Sequence, residues 1–90
     1  MNATQLSLTI ELECDDALGI LENVLATARR GGLQLAQLRL QHRRDSASVE
    51  LAVSAAEAER LDLFAARLNN VIGVIRIDRA SAPGRLYIAK

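Results

Sequence analysis

Glu13-Cys14-Asp15-Asp16-Ala17-Leu18-Gly19-Ile20-Leu21 is the stretch at which the chain changes period. Upstream, Leu6, Leu8, Ile10 and Leu12 alternate with Ser7, Thr9, Glu11 and Glu13, the period of two expected of a strand with one buried face. Downstream, Leu18, Leu21, Val24, Leu25 and Ala28 recur every three or four residues, with Glu22, Asn23 and Arg29 opposite them. That is the stripe of an amphipathic helix. The stretch therefore reads as a strand that runs into an acidic loop and opens a helix. Asp15 or Asp16 can cap its start, Arg29 and Arg30 suit its negative end, and Gly31-Gly32 stops it.

The rest of the chain repeats this layout. Leu33 and Leu35 share one parity while Leu38 and Leu40 share the other. Either a bulge shifts the phase of a second strand, or the strand feeds two environments, as at a subunit contact. Arg43-Arg44-Asp45-Ser46 makes a polar hairpin turn, and Ala47, Val49, Leu51 and Val53 then alternate as a third strand. Ser54-Ala55-Ala56-Glu57 fits a capping box. The helix it opens turns Ala58, Leu61, Phe64, Ala65 and Leu68 inward and ends at Asn69-Asn70. A fourth strand is expected over 71–79, with Ile75 and Ile77 inward and Arg76 and Asp78 outward. The expected domain covers residues 1–79. Residues 80–90, with the breaker Ala80-Ser81-Ala82-Pro83-Gly84, form a C-terminal tail. The order is β-α-β-β-α-β, an α+β class. Right-handed crossovers make it a ferredoxin-like fold, a four-stranded antiparallel sheet with both helices on one face.

Composition narrows the function. Half of the 90 residues are apolar but only 2% are aromatic, so the core is aliphatic. Eleven basic residues balance eleven acidic ones, which argues against a general polyanion binder. One cysteine excludes an internal disulfide and suits a reducing, cytoplasmic setting. No apolar run is long enough to span a bilayer, and Met1-Asn2-Ala3-Thr4-Gln5 has no secretion-signal pattern. Ferredoxin-like RNA binders stack bases on aromatics of the central strands, and here those strands have none. The Arg39, His42, Arg43 and Arg44 cluster reads as a solvated turn. His42, the single histidine, stands far along the chain from Cys14, so no nucleophile–base pair is indicated. No Cys or His spacing suggests a metal site, and no cofactor motif is present. The expectation is a non-catalytic module that binds neither nucleic acid nor membrane.

The acidic loop remains the candidate site. Glu13, Asp15 and Asp16 would repel a phosphate, whereas a zwitterion fits better. Backbone N–H groups around Leu18 to Ile20 can take an α-carboxylate, Asp16 can take an α-ammonium, and Gly19 permits a close approach. The alternative is structural: Asp16 caps the helix and Gly19 allows close packing.

Taken together, the β-α-β-β-α-β order and Asp16-Ala17-Leu18-Gly19-Ile20-Leu21 resemble the Asn/Asp-x-x-Gly-Ala/Val/Ile-Leu signature of ACT domains. Arg30-Gly31-Gly32-Leu33-Gln34-Leu35-Ala36-Gln37-Leu38 and Leu68-Asn69-Asn70-Val71-Ile72-Gly73-Val74-Ile75-Arg76-Ile77 are similar to segments of acetolactate synthase small subunits, most of all the compact isozyme II type. The resemblance spans roughly residues 5–79. It implies a regulatory subunit in branched-chain amino acid biosynthesis, a homodimer that binds and activates a thiamine-diphosphate-dependent catalytic subunit. It further implies an effector such as valine, leucine or isoleucine at the dimer interface, contacted by Asp16, Ala17, Leu18, Gly19, Ile20 and Leu21. Asp16 stands where that family commonly has Asn, and an ionised Asp cannot donate a hydrogen bond to the effector's carboxylate. The rival expectation is a stand-alone ACT module that senses another amino acid or assembles a different metabolic enzyme.

Overall fold

The computed structural model describes residues 4–79, so the expected C-terminal tail lies outside the described residues. The elements are β1 (Thr4–Leu12), a 3₁₀ turn (Cys14–Asp16), α1 (Ala17–Arg30), β2 (Gln34–His42), β3 (Ala47–Ala55), α2 (Ala58–Leu68) and β4 (Val74–Arg79). The strands form one antiparallel sheet in the order β2-β3-β1-β4. This is the ferredoxin-like arrangement that the alternation of periods implies.

The core follows from register. Leu6, Leu8, Ile10 and Leu12 of β1 lie opposite Val53, Leu51, Val49 and Ala47 of β3, and all eight are buried. Opposed residues share a face, so the two central strands present one aliphatic surface. α1 covers it with Ile20, Leu21 and Val24, and α2 with Leu61, Phe64 and Leu68. α1 ends in a Schellman motif: Gly32 has φ +78, Leu33 N–H donates to the Ala28 carbonyl at 3.1 Å, and Gly32 N–H to that of Arg29 at 3.1 Å.

Three details differ from the sequence reading, and a fourth is decided between its two alternatives. In α1 the buried stripe is Ala17, Ile20, Leu21, Val24, Thr27 and Ala28, while Leu18 is 63% exposed. The stripe is turned because Ile20 packs under Gly73 of the α2–β4 turn, so closely that a Cβ on that glycine would overlap it. The Ser54 capping box does not form. Ser54 is held in the β3 ladder opposite Gln5 and Gln34, and α2 starts after Glu57, which has no side-chain cap bond; Ala58 is exposed.

The other two concern strand phase. β4 begins at Val74, and a register shift puts Val74 opposite Leu12 and Ile77 opposite Ile10. Ile75 is the extra residue and is 57% exposed. In β2 the bulge alternative holds. Leu35 pairs with Val53, Gln37 with Ala52, Leu38 with Leu51 and Leu40 with Val49, leaving Ala36 unmatched. Leu35, Leu38 and Leu40 thus share the helix-bearing face, so the strand is not apolar on both faces. They are nevertheless 51%, 36% and 36% exposed, because β2 is an edge that the helices do not fully cover.

Candidate functional site

The six residues of the first-loop motif divide into two groups. Ala17, Ile20 and Leu21 are buried in the core at 5–6% exposure. Asp16, Leu18 and Gly19 remain at the surface or half-buried. The local sequence accounts for this. Asp16 leaves the helical conformation and caps α1, its Oδ1 accepting the Gly19 N–H at 3.3 Å. Gly19 makes the cap possible, since a Cβ there would lie 2.5 Å from Asp16 Oδ2 and 2.8 Å from Oδ1. The Asp-x-x-Gly spacing is therefore a matched pair: the carboxylate folds over the first turn where a side chain is missing.

This arrangement bears on ligand chemistry. The Gly19 amide is one of the groups that would receive an α-carboxylate, and Asp16 already occupies it. Beside it lies an open concavity lined by Glu13, Asp16, Ile20, Glu22, Asn23 and Ile72, together with Gly19 and Gly73. Its charged lining is anionic throughout, a wall that favours an ammonium and opposes a carboxylate. The α2–β4 turn contributes Ile72 and Gly73 to this wall, and Glu13 N–H donates to the Gly73 carbonyl at 2.9 Å, tying the two loops together. The sequence reading missed that turn by extending a strand through it. Gly73 inside an apolar run was the available signal, because a glycine there marks a break or bulge.

His42, distant in sequence, does come to the loop. Its Nε2 lies 3.1 Å from the Cys14 carbonyl oxygen, so the ring donates to backbone there and is not paired to the thiol. Among the described residues no cluster of three or more His, Cys, Asp or Glu is placed to hold a metal. No helix among them is long and apolar enough to cross a membrane.

A second surface is as distinctive as the loop. On α1, Leu18 and Leu25 lie seven residues apart on the flank opposite Ile20 and Thr27. α1 packs over β2 and β3, and α2 over β3 and β1, so that flank overlooks the β2 edge. Leu18, Leu35, Leu38 and Leu40 thus border one side of the molecule, next to a nine-residue edge strand whose outer backbone groups have no strand partner among the described residues.

No family model matches the chain, and no curated protein matches it. Solved structures do. The ACT domain of GTP pyrophosphokinase from Chlorobium tepidum superposes with a TM-score of 0.73 at 14% identity, over 88% of this chain and 100% of that one. The C-terminal domain of MgtC from Mycobacterium tuberculosis gives 0.70 at 9% identity, covering 91% and 90%. A homoserine dehydrogenase from Thiobacillus denitrificans gives 0.61 at 11% identity, over 86% of this chain and 17% of that one. At such identities the likeness is one of fold, and this chain has the fold of an ACT domain.

Proposed function

We propose that this chain is a non-catalytic regulatory subunit of the ACT type that works as a homodimer joined at β2, and that its enzyme is an acetolactate synthase. The observation that carries the dimer is the β2 edge: nine residues long, with Leu35, Leu38 and Leu40 exposed beside backbone that no strand pairs among the described residues. Monomers seldom leave such an edge open, because it recruits another strand. The acetolactate synthase assignment rests on the ordered motifs around Asp16–Leu21, 30–38 and 68–77.

Within that reading the subunit is an activator before it is a sensor. Binding valine, leucine or isoleucine by its carboxylate requires Asp16 to release Gly19, in a concavity whose charges are all negative. Mixing the purified chain with the catalytic subunit of an acetolactate synthase tests the assignment. The reading expects stimulated turnover, and no stimulation of any cognate enzyme contradicts it. A thermal-shift screen against the twenty amino acids tests the loop, since a ligand bound only to the folded state raises the melting temperature. The cap geometry expects no shift with branched-chain amino acids in the parent chain.

A second reading, an ACT module serving a different metabolic enzyme, is favoured by the company the fold keeps. Its structural neighbours come from a GTP pyrophosphokinase and a homoserine dehydrogenase. Stimulation of such an enzyme, and not of an acetolactate synthase, would select it.

A further inference from the structure

The top row of the sheet runs His42–Ala47–Leu12–Val74. β1, β2 and α2 finish at this end, and α1, β3 and β4 begin there. The first loop, the β2–β3 turn and the α2–β4 turn are therefore neighbours on one end of the molecule. Their charges form no ion pair among the described residues. The four ion pairs among the described residues are Arg39–Glu50, Arg60–Glu57, Arg76–Asp78 and Arg79–Asp62, and none involves a residue of these three connections.

The unmatched groups are sorted by sign. Over β2 and β3 stand Arg43 and Arg44, both exposed. Over β1 stand Glu13 and Asp15, also exposed, and Asp45 shares a concavity with them. Toward β4 two isoleucines are bare: Ile72 at 88% and Ile75 at 57%. From one edge of the sheet to the other, this end passes from basic through acidic to apolar. Bare isoleucines beside a row of unpaired charge mark a surface that excludes water when partnered.

We propose that this end docks on the same end of a second copy of the chain, about a two-fold axis normal to the sheet. That operator carries the β2 side of one copy over the β4 side of the other. Arg43 and Arg44 of each copy then face Glu13 and Asp15 of its mate, and Ile72 and Ile75 flank that charged centre at the margin of the contact. A two-fold axis running across the width of the sheet instead sets the arginine turns against each other, and like-charge repulsion rejects it. The contact is isologous and closes on itself, so it makes pairs and not fibres. It uses a different surface from the β2 edge. The end contact adds to the homodimer proposed above and is separable from it.

Light scattering on the full chain after size-exclusion chromatography separates the two contacts. Leu38→Lys removes the β2 contact and leaves this one, so that variant runs as a dimer at low ionic strength. Its dissociation constant rises about tenfold or more as salt is raised past the screening range. Adding Arg43→Glu/Arg44→Glu, or Ile72→Lys, to it yields a monomer with an unchanged far-ultraviolet circular dichroism spectrum. In the same Leu38→Lys background, Arg43→Glu/Arg44→Glu and Glu13→Lys/Asp15→Lys chains fail singly and associate when mixed. A Leu38→Lys chain that is monomeric at low salt overturns the end contact. So does a dimer indifferent to salt and to the Arg43, Arg44 and Ile72 substitutions. Equal masses for Leu38→Lys and the parent chain count instead against the β2 contact.

Discussion

The two edges of the sheet are built on opposite plans. β2 is nine residues long and sets Leu35, Leu38 and Leu40 in a row on the helix-bearing face, with Arg39 its one arginine. β4 is six residues long and gives half its positions to Arg76, Asp78 and Arg79, although both edges carry a register shift. The contrast is visible along a single row, Leu38–Leu51–Leu8–Arg79: two leucines buried at 2% in the centre, a leucine at 36% at one end, an arginine at the other. At β4 the charges hold each other and a helix, through Arg76–Asp78 at 3.4 Å and Arg79–Asp62 at 3.5 Å. Short, charged strands discourage pairing, and long apolar ones invite it. The same sheet therefore carries one edge suited to a partner and one defended against it.

Breaking this contrast starts with the largest effect. Leu51→Ala should cost the monomer about 2–5 kcal/mol by leaving a cavity between β3 and the helices, whereas Leu38→Ala, one strand outward, should cost the dilute monomer about 1 kcal/mol or less. Urea denaturation below the dissociation concentration measures both. At concentrations where the chain pairs, Leu38→Lys should weaken dimerisation by about 3 kcal/mol, a factor above one hundred in dissociation constant. The sedimentation profile would show this, with the monomer's stability little altered.

The first loop sharpens the contrast, since its motif is a cap and not part of either edge. Asp16→Ala should lower stability by about 1 kcal/mol, and Gly19→Ala should displace the Asp16 carboxylate. Thermal melts would report the first, and the β2 dimer constant should move in neither. The smallest effect belongs to β4. Arg76 and Asp78 are 69% and 60% exposed, so Asp78→Ala should change stability by about 0.5 kcal/mol or less and leave the dimer constant alone.

Strand and helix order was legible because period two and period 3.6 are set by side-chain geometry along the chain. What was not legible depends on contacts between distant segments. Leu18 and Ile20 both suit an apolar stripe, and only the packing of Gly73 over Ile20 decides which is buried. Ser54-Ala55-Ala56-Glu57 has the letters of a capping box, but pairing with Gln5 and Gln34 keeps Ser54 in a strand. Ile75 carries the same hydropathy as Val74, and a one-residue register shift against Glu11 and Leu12 turns it out. The Leu33/Leu35 and Leu38/Leu40 change of parity was readable as two alternatives, and the unmatched Ala36 chooses the bulge. At the site, the Asp16-x-x-Gly19 motif was readable, yet the sequence cannot distinguish an amide left free for a ligand from one taken by its own Asp16.

The claim that the β2 edge is an interface is tested most directly by hydrogen exchange, read amide by amide along Gln34–His42 over a range of protein concentrations. An uncovered edge exchanges through its outward N–H groups regardless of concentration, whereas a paired edge is protected in proportion to pairing. The account predicts outward β2 amides that are slow at high concentration, faster on dilution, and fast throughout in Leu38→Lys. Outward β2 amides that exchange quickly at every concentration would contradict it.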